Sequence, residues 1–190
     1  KNEIVLRQCG IGKVNAAVGT AELIRSFEPS CIISTGVAGG IDKQLDVMDV
    51  VVSSSIVHHD VWCGMGCECG QVQGMPTMFN ADKELYETAL GIDTENATRI
   101  HGGLICTGDQ FITSRTELDR IKSKFPAGLA VDMESAAIAQ TCHIYNVPFV
   151  SFRIISDTPG VDKHIQQYEN FWGEMANRSF GITRKYLLAL

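Results

Sequence analysis

The stretch Ala130–Gly160 constrains the fold more than any other part of the chain. An apolar strand, Gly128–Val131, runs into the acidic cluster Asp132–Met133–Glu134. A helix of small residues follows, and a second apolar strand, Pro148–Ile155, ends in Ser156–Asp157. In an open parallel sheet both strand exits lie at the carboxyl edge, where ligands of such sheets bind. Three carboxylates and a hydroxyl are therefore expected to meet in one crevice.

The rest of the chain continues the alternation. Residues 3–8 read as a strand, Val14–Phe27 as an Ala-rich helix, and Cys31–Ile33 as a short buried strand closed by a turn over Thr35–Gly40. A β-branched run makes Asp49–Val57 a strand. Between residues 58 and 79 periodicity fades and Gly, Cys and Met accumulate, which predicts a long loop of the kind that carries function or stays disordered. Asn80 is placed to cap a helix reaching Leu90. Arg99–Thr107 forms another strand, and Ser114 with Glu117 is a capping box for a helix to about Lys124. Gln166–Leu190 reads as one closing helix. The pattern predicts a single α/β domain over residues 1–190 with a largely parallel sheet.

Composition removes several function classes. A net charge of −6 without a basic run argues against nucleic acid as a partner. No apolar run reaches the roughly 18–20 residues of a membrane span. Seven cysteines, an odd count, read as thiols of a cytoplasmic protein rather than a disulfide framework. His58, His59 and Asp60 with Cys63, Cys67 and Cys69 lack the paired C-x2-C spacing of structural zinc, so no metal is expected. No cofactor motif is present either: Gly36–Gly40 has neither the dinucleotide glycine spacing nor the Gly-Lys-Ser/Thr of a phosphate loop.

Local pattern leaves the acidic residues open. Asp132 and Glu134 suit a helix start as cap and dipole partner; Glu134 equally suits a grip on vicinal hydroxyls, since a carboxylate accepts two hydrogen bonds at once. Ser156–Asp157 reads as turn chemistry before Pro159–Gly160, or as an acid whose burial lets it hold a proton for a leaving group.

Five ordered segments carry a family resemblance: Gly10–Ala17, Thr35–Gly40, Gly108–Ile112, Val131–Glu134 and Ile155–Asp157. Together they resemble the nucleoside phosphorylase superfamily, and within it the branch of nucleosidases that cleave 5′-methylthioadenosine and S-adenosylhomocysteine. The resemblance implies a three-layer α/β/α fold around a mixed, partly barrel-like sheet. It implies hydrolysis of the N-glycosidic bond with release of adenine. By motif position Asp157 protonates the leaving base and Ser156 orients it. Phe111 and Met133 border the base, and the Ile112 backbone reads its edge. Glu134 holds the ribose hydroxyls, with Asp132 and Arg153 near it, Gly39 at the ribosyl end and Tyr168 by the sugar. Met65, in the loop 63–73, falls where the branch has an aromatic residue of the 5′-alkylthio pocket. That loop reaches into the neighbouring subunit's site, so a homodimer is implied.

Two alternatives stay open: a phosphate-dependent phosphorylase, and a nucleoside-binding protein without catalysis. A phosphate nucleophile needs cationic or hydroxyl donors. The positions that carry them in phosphorylases are Ser34 and Val37 here; valine donates no hydrogen bond, and no nearby cation is expected. Water is therefore the expected nucleophile. In the nucleosidase branch the glutamate that activates water lies on an N-terminal strand. Roughly forty residues holding that strand are expected upstream of Lys1, and without them activity is expected to fall on the order of 10²–10⁴-fold or more.

Overall fold

The computed structural model describes residues 3–94, 98–158, 164–171 and 176–190. The elements are α1 (Lys13–Phe27), β1 (Ile32–Gly40), β2 (Val50–His58), β3 (Phe79–Asn80), α2 (Lys83–Leu90), β4 (Ile100–Thr107), α3 (Arg115–Lys124), β5 (Gly128–Asp132), α4 (Ser135–Tyr145), β6 (Phe149–Asp157), α5 (His164–Asn170) and α6 (Ala176–Ala189).

The six strands are ordered β3-β2-β4-β5-β1-β6, and β2 also pairs with β6. That extra ladder closes β2, β4, β5, β1 and β6 into a ring. Pairing is parallel for β1–β6, β2–β4 and β4–β5, and antiparallel for β1–β5, β2–β3 and β2–β6. The sheet is thus mixed, as the resemblance implies, rather than largely parallel. Closure needs bending. The register shifts at Ala38/Gly39, Ser53/Ser55 and Leu104/Ile105 supply it.

Helices cover both faces because the strands bury side chains on both. In β2, Val51 and Ile56 join α1 and α4 in one core, while Val50 and Val52 join α2 and α6 in another. Val57 faces α3 with Leu118, Ile121 and Phe125. The small residues of α4, among them Ala136, Ala137 and Ala139, let it lie against α1. On the far side Tyr186 of α6 stacks on Phe152 with ring centroids 5.1 Å apart, and its hydroxyl donates to the Leu85 carbonyl at 3.0 Å. Among the described residues no helix is long and apolar enough to cross a membrane.

Several local expectations change. Residues 3–8 form no strand; each strand of the ring already has neighbours on both sides, and Ile4, Val5 and Leu6 are exposed. Thr35–Gly40 is not a turn but the second half of β1; Thr35–Gly39 is in register with Phe152–Asp157, and Gly40 pairs with Ala130. Glycine is needed there because a Cβ at Gly36 would collide with the Arg153 guanidinium. The α2 cap is Asp82, which accepts from the Glu84 and Leu85 amides at 3.0 and 3.1 Å; Asn80 ends β3. The expected closing helix is described as two elements, α5 and α6, with 172–175 outside the described residues. Ser156 and Asp157 belong to β6 itself, and Pro159–Gly160 lie outside the described residues. The Ser114–Glu117 capping box of α3 is formed as expected.

Candidate active site

The ends of β5, β6 and β1 open into a cleft of about 480 Å³. Gly39 pairs with Asp157 across β1 and β6, and with Val131 across β1 and β5, so three strand ends lie side by side. Asp157 is 2% exposed, and its Oδ1 accepts from the Ser156 hydroxyl at 2.7 Å. Ser156 Oγ also lies 3.4 Å from the Ala38 carbonyl, which ties the pair to β1.

Asp132 ends β5 with its carboxylate turned into the protein's own donors. Oδ1 accepts from Thr107 Oγ1 at 2.6 Å and from the Ser135 amide at 3.2 Å; Oδ2 meets Arg153 Nε at 2.9 Å and the Ser135 hydroxyl. Of the two readings of the acidic cluster, the capping one fits Asp132. Its oxygens are occupied and its side chain is 1% exposed, which leaves no acceptor for a ligand. Glu134 differs. It is the N-cap position of α4, but its side chain makes no cap bond; its Oε1 instead accepts from the Gly12 amide at 3.0 Å. Its Oε2 lies 3.9 Å from Arg153 Nη2, and the side chain is more open than that of Asp132.

Arg153 corrects the expectation that no cation lies near Ser34. It projects from β6, and its Nη2 donates to Ser34 Oγ at 3.0 Å. Sequence spacing hid this, because 119 residues separate the two positions and only the β1–β6 pairing joins them. The charge is nonetheless spoken for: Asp132 and Glu134 flank the guanidinium, and the hydroxyls of Ser135 and Ser151 accept from Nε at 3.1 and 3.3 Å. Val37, also in the lining, presents no donor.

The opposite wall is apolar. Phe111 is half exposed and meets Tyr168 edge-on, with centroids 5.3 Å apart, while Ile112 is buried. Tyr168 is carried by α5, whose Gln167 Oε1 accepts from the Thr158 amide and hydroxyl, each at 3.1 Å. Met133 completes this wall.

The cleft therefore gathers Gly39, Phe111, Ile112, Asp132, Met133, Glu134, Arg153, Ser156, Asp157 and Tyr168. Met65 is not among its lining; it is 99% exposed at the tip of the irregular segment between β2 and β3. Sequence reasoning overlooked the 7–11 wall as a lining segment, and it named Ser34 and Arg153 without joining them. The glycines around Ile11 were the available signal, since Gly10 and Gly12 both adopt positive φ. His58 and His59 diverge: His58 bonds Gln140 at 2.9 Å, whereas the His59 ring lies against Gly108.

Known proteins share this fold over most of the chain. The phosphorylase superfamily profile matches residues 1–188. A 5′-methylthioadenosine/S-adenosylhomocysteine nucleosidase from Desulfotalea psychrophila is 43% identical over 181 residues, covering 95% of this chain and 77% of that protein. The crystal structure of the Neisseria meningitidis nucleosidase of that name, in complex with methylthio-immucillin-A, superposes with a TM-score of 0.87 at 39% identity, over 96% of this chain and 79% of that one. The Colwellia psychrerythraea nucleosidase in complex with adenine superposes with a TM-score of 0.89 at 37% identity, over 96% and 76%. This chain belongs to the phosphorylase superfamily.

Proposed function

We propose that the protein hydrolyses the N-glycosidic bond of 5′-methylthioadenosine and S-adenosylhomocysteine, releasing adenine. The observation that carries the reading is the pairing of functions in one cleft: a buried acid, Asp157, held by Ser156 at the end of β6, and a partly open carboxylate, Glu134, just past the end of β5 on the other side of β1. A departing purine needs a proton, and burial is the setting in which a carboxyl keeps one near neutral pH. An oxocarbenium-like sugar needs nearby negative charge and a grip on its hydroxyls. Glu134 supplies both. Phe111, Met133 and the Ile112 backbone border the base, Tyr168 and Gly39 border the sugar, and Asp132 acts through Arg153 and Ser135 as a positioning residue.

Water serves as the nucleophile in this reading, because Val37 donates nothing and the Arg153 charge is offset by two carboxylates. The Arg153–Ser34 contact is what favours the second reading, a phosphorylase, since it sets a cation and a hydroxyl in the cleft. Turnover with and without phosphate separates them. A rate that requires phosphate and yields a sugar 1-phosphate supports the phosphorylase; a phosphate-independent rate supports the hydrolase.

The protein works as a homodimer, with the segment between β2 and β3 of one copy completing the partner's 5′ pocket through Met65. Support comes from the exposure of Met65 and of Trp62 (69%) while the other expected site residues line the chain's own cleft. Light scattering that gives a monomer at working concentration would contradict the pairing.

A further inference from the structure

Two successive amides at the front of α1 each hold a carboxylate, Glu134 in the cleft lining and Asp109 immediately before the lining segment 110–112. Gly12 N donates to Glu134 Oε1 at 3.0 Å, and Lys13 N donates to Asp109 Oδ1 at 2.8 Å. The Lys13 side chain then folds back. Its Nζ donates to Asp60 Oδ1 at 2.8 Å and lies 3.7 Å from Asp109 Oδ2. Asp60 closes the loop, because its Oδ2 accepts from the Asp109 amide at 2.9 Å. The Lys13 and Asp60 side chains are only 18% and 23% exposed, so the pair is better shielded than an ordinary surface bridge.

We propose that Lys13 is a positioning residue that fixes the base-bordering segment 109–112 relative to Glu134, through Asp60 and Asp109. Asp109 stands two residues before Phe111 and three before Ile112, so its side chain and its amide together set where that wall starts. The same turn of α1 sets Glu134. The spacing between the base wall and the ribose carboxylate is thereby fixed by two adjacent residues, 12 and 13. Gly12 suits this position as glycine because its φ is +90°, a backbone conformation that other residues rarely adopt. Without Lys13, Asp60 and Asp109 would face each other as like charges with no cation between them. The wall would then be free to move away from Glu134.

The inference rests on reading 111–112 as the base wall, and the test keeps the two apart. Full-length wild type, Lys13→Ala, Lys13→Arg and Asp60→Asn are compared by hydrogen exchange of the 109–112 amides, by calorimetric adenine binding and by steady-state kinetics. Lys13→Ala is expected to speed exchange at 109–112, and to weaken adenine binding and raise KM by about tenfold, the scale of one charge-assisted hydrogen bond. kcat should change far less, and Lys13→Arg should restore both. Asp60→Asn should reproduce the loosening without removing the lysine. Unchanged exchange and unchanged adenine affinity in Lys13→Ala, whatever its melting temperature, would overturn the assignment. A wild type that binds no adenine would instead strike the base-wall reading, while the exchange data would still decide whether Lys13 holds the segment.

Discussion

Arg153 Nε lies 2.9 Å from Asp132 Oδ2, and the two side chains are 5% and 1% exposed. A buried ion pair of this kind is weak evidence for stability, but breaking it from one side is costly, because the remaining charge is left in a medium that cannot solvate it. Asp132→Asn should therefore destabilise the protein by about 3–5 kcal/mol. A double substitution, Asp132→Leu with Arg153→Met, should recover much of that loss while abolishing activity. Urea unfolding of the two variants beside wild type checks the stabilities, and an adenine-release assay checks the activity. A single variant within about 0.5 kcal/mol of wild type would mean that the pair is not what fixes the β5 end.

Asp157→Asn keeps the shape of the acid and removes its proton. Turnover should fall by about 10²–10⁴-fold with an unchanged circular dichroism spectrum and little change in adenine affinity. Activity within a few-fold of wild type would assign leaving-group protonation to another group.

Gly36→Ala tests the close approach of β1 to Arg153. The added methyl would occupy the guanidinium's space, so the arginine must leave Ser34 or the strands must part. A loss of about 1–3 kcal/mol is expected, typical of overpacking, together with a drop in activity from a displaced Glu134 partner. Thermal unfolding and kinetics read the two effects.

His58 and His59 make a pH prediction. Burial pushes both imidazoles below their ordinary value of 6.5, in His58 against the hydrogen bond its Nε2 makes to Gln140 Oε1 and in His59 against the nearby Asp60 charge. The unfolded chain then binds more protons than the folded one as pH falls through the ordinary range. The stability these groups contribute is present above the unfolded value near 6.5 and is lost as pH drops toward their folded values. The melting temperature should fall between pH 7 and 5, and His58→Gln should flatten that slope. A slope unchanged by the substitution would place the acid sensitivity elsewhere.

Much of this architecture is legible in the chain. The two apolar strands that carry Asp132, Ser156 and Asp157 and the short helix between them are legible, and the α3 boundary follows from Ser114 and Glu117; the way the strand ends meet is not, because β1 lies between β5 and β6, antiparallel to the first and parallel to the second. What sequence does not carry is long-range closure. The antiparallel pairing of Val50–Val52 with Phe152–Ile154 closes the mixed sheet into a ring, and no local periodicity encodes it. Residues 3–8 have the composition of a strand but meet no free edge of that ring. Gly36–Gly40 looks like a turn because glycine usually marks one; here Arg153 leaves no room for a side chain at Gly36, and Ile155 crowds Gly40. The Ser34–Arg153 contact is likewise a product of register. A cation can be distant in sequence and adjacent in space, so an electrostatic argument made from neighbours alone misjudges it.

The most direct test incubates the full-length protein with 5′-methylthioadenosine, with and without phosphate, and identifies both products by liquid chromatography and mass spectrometry. Adenine with free 5-methylthioribose, at a rate indifferent to phosphate, is the predicted result. Dependence on phosphate, or a sugar 1-phosphate as the second product, would contradict hydrolysis and make the Arg153–Ser34 corner the phosphate site.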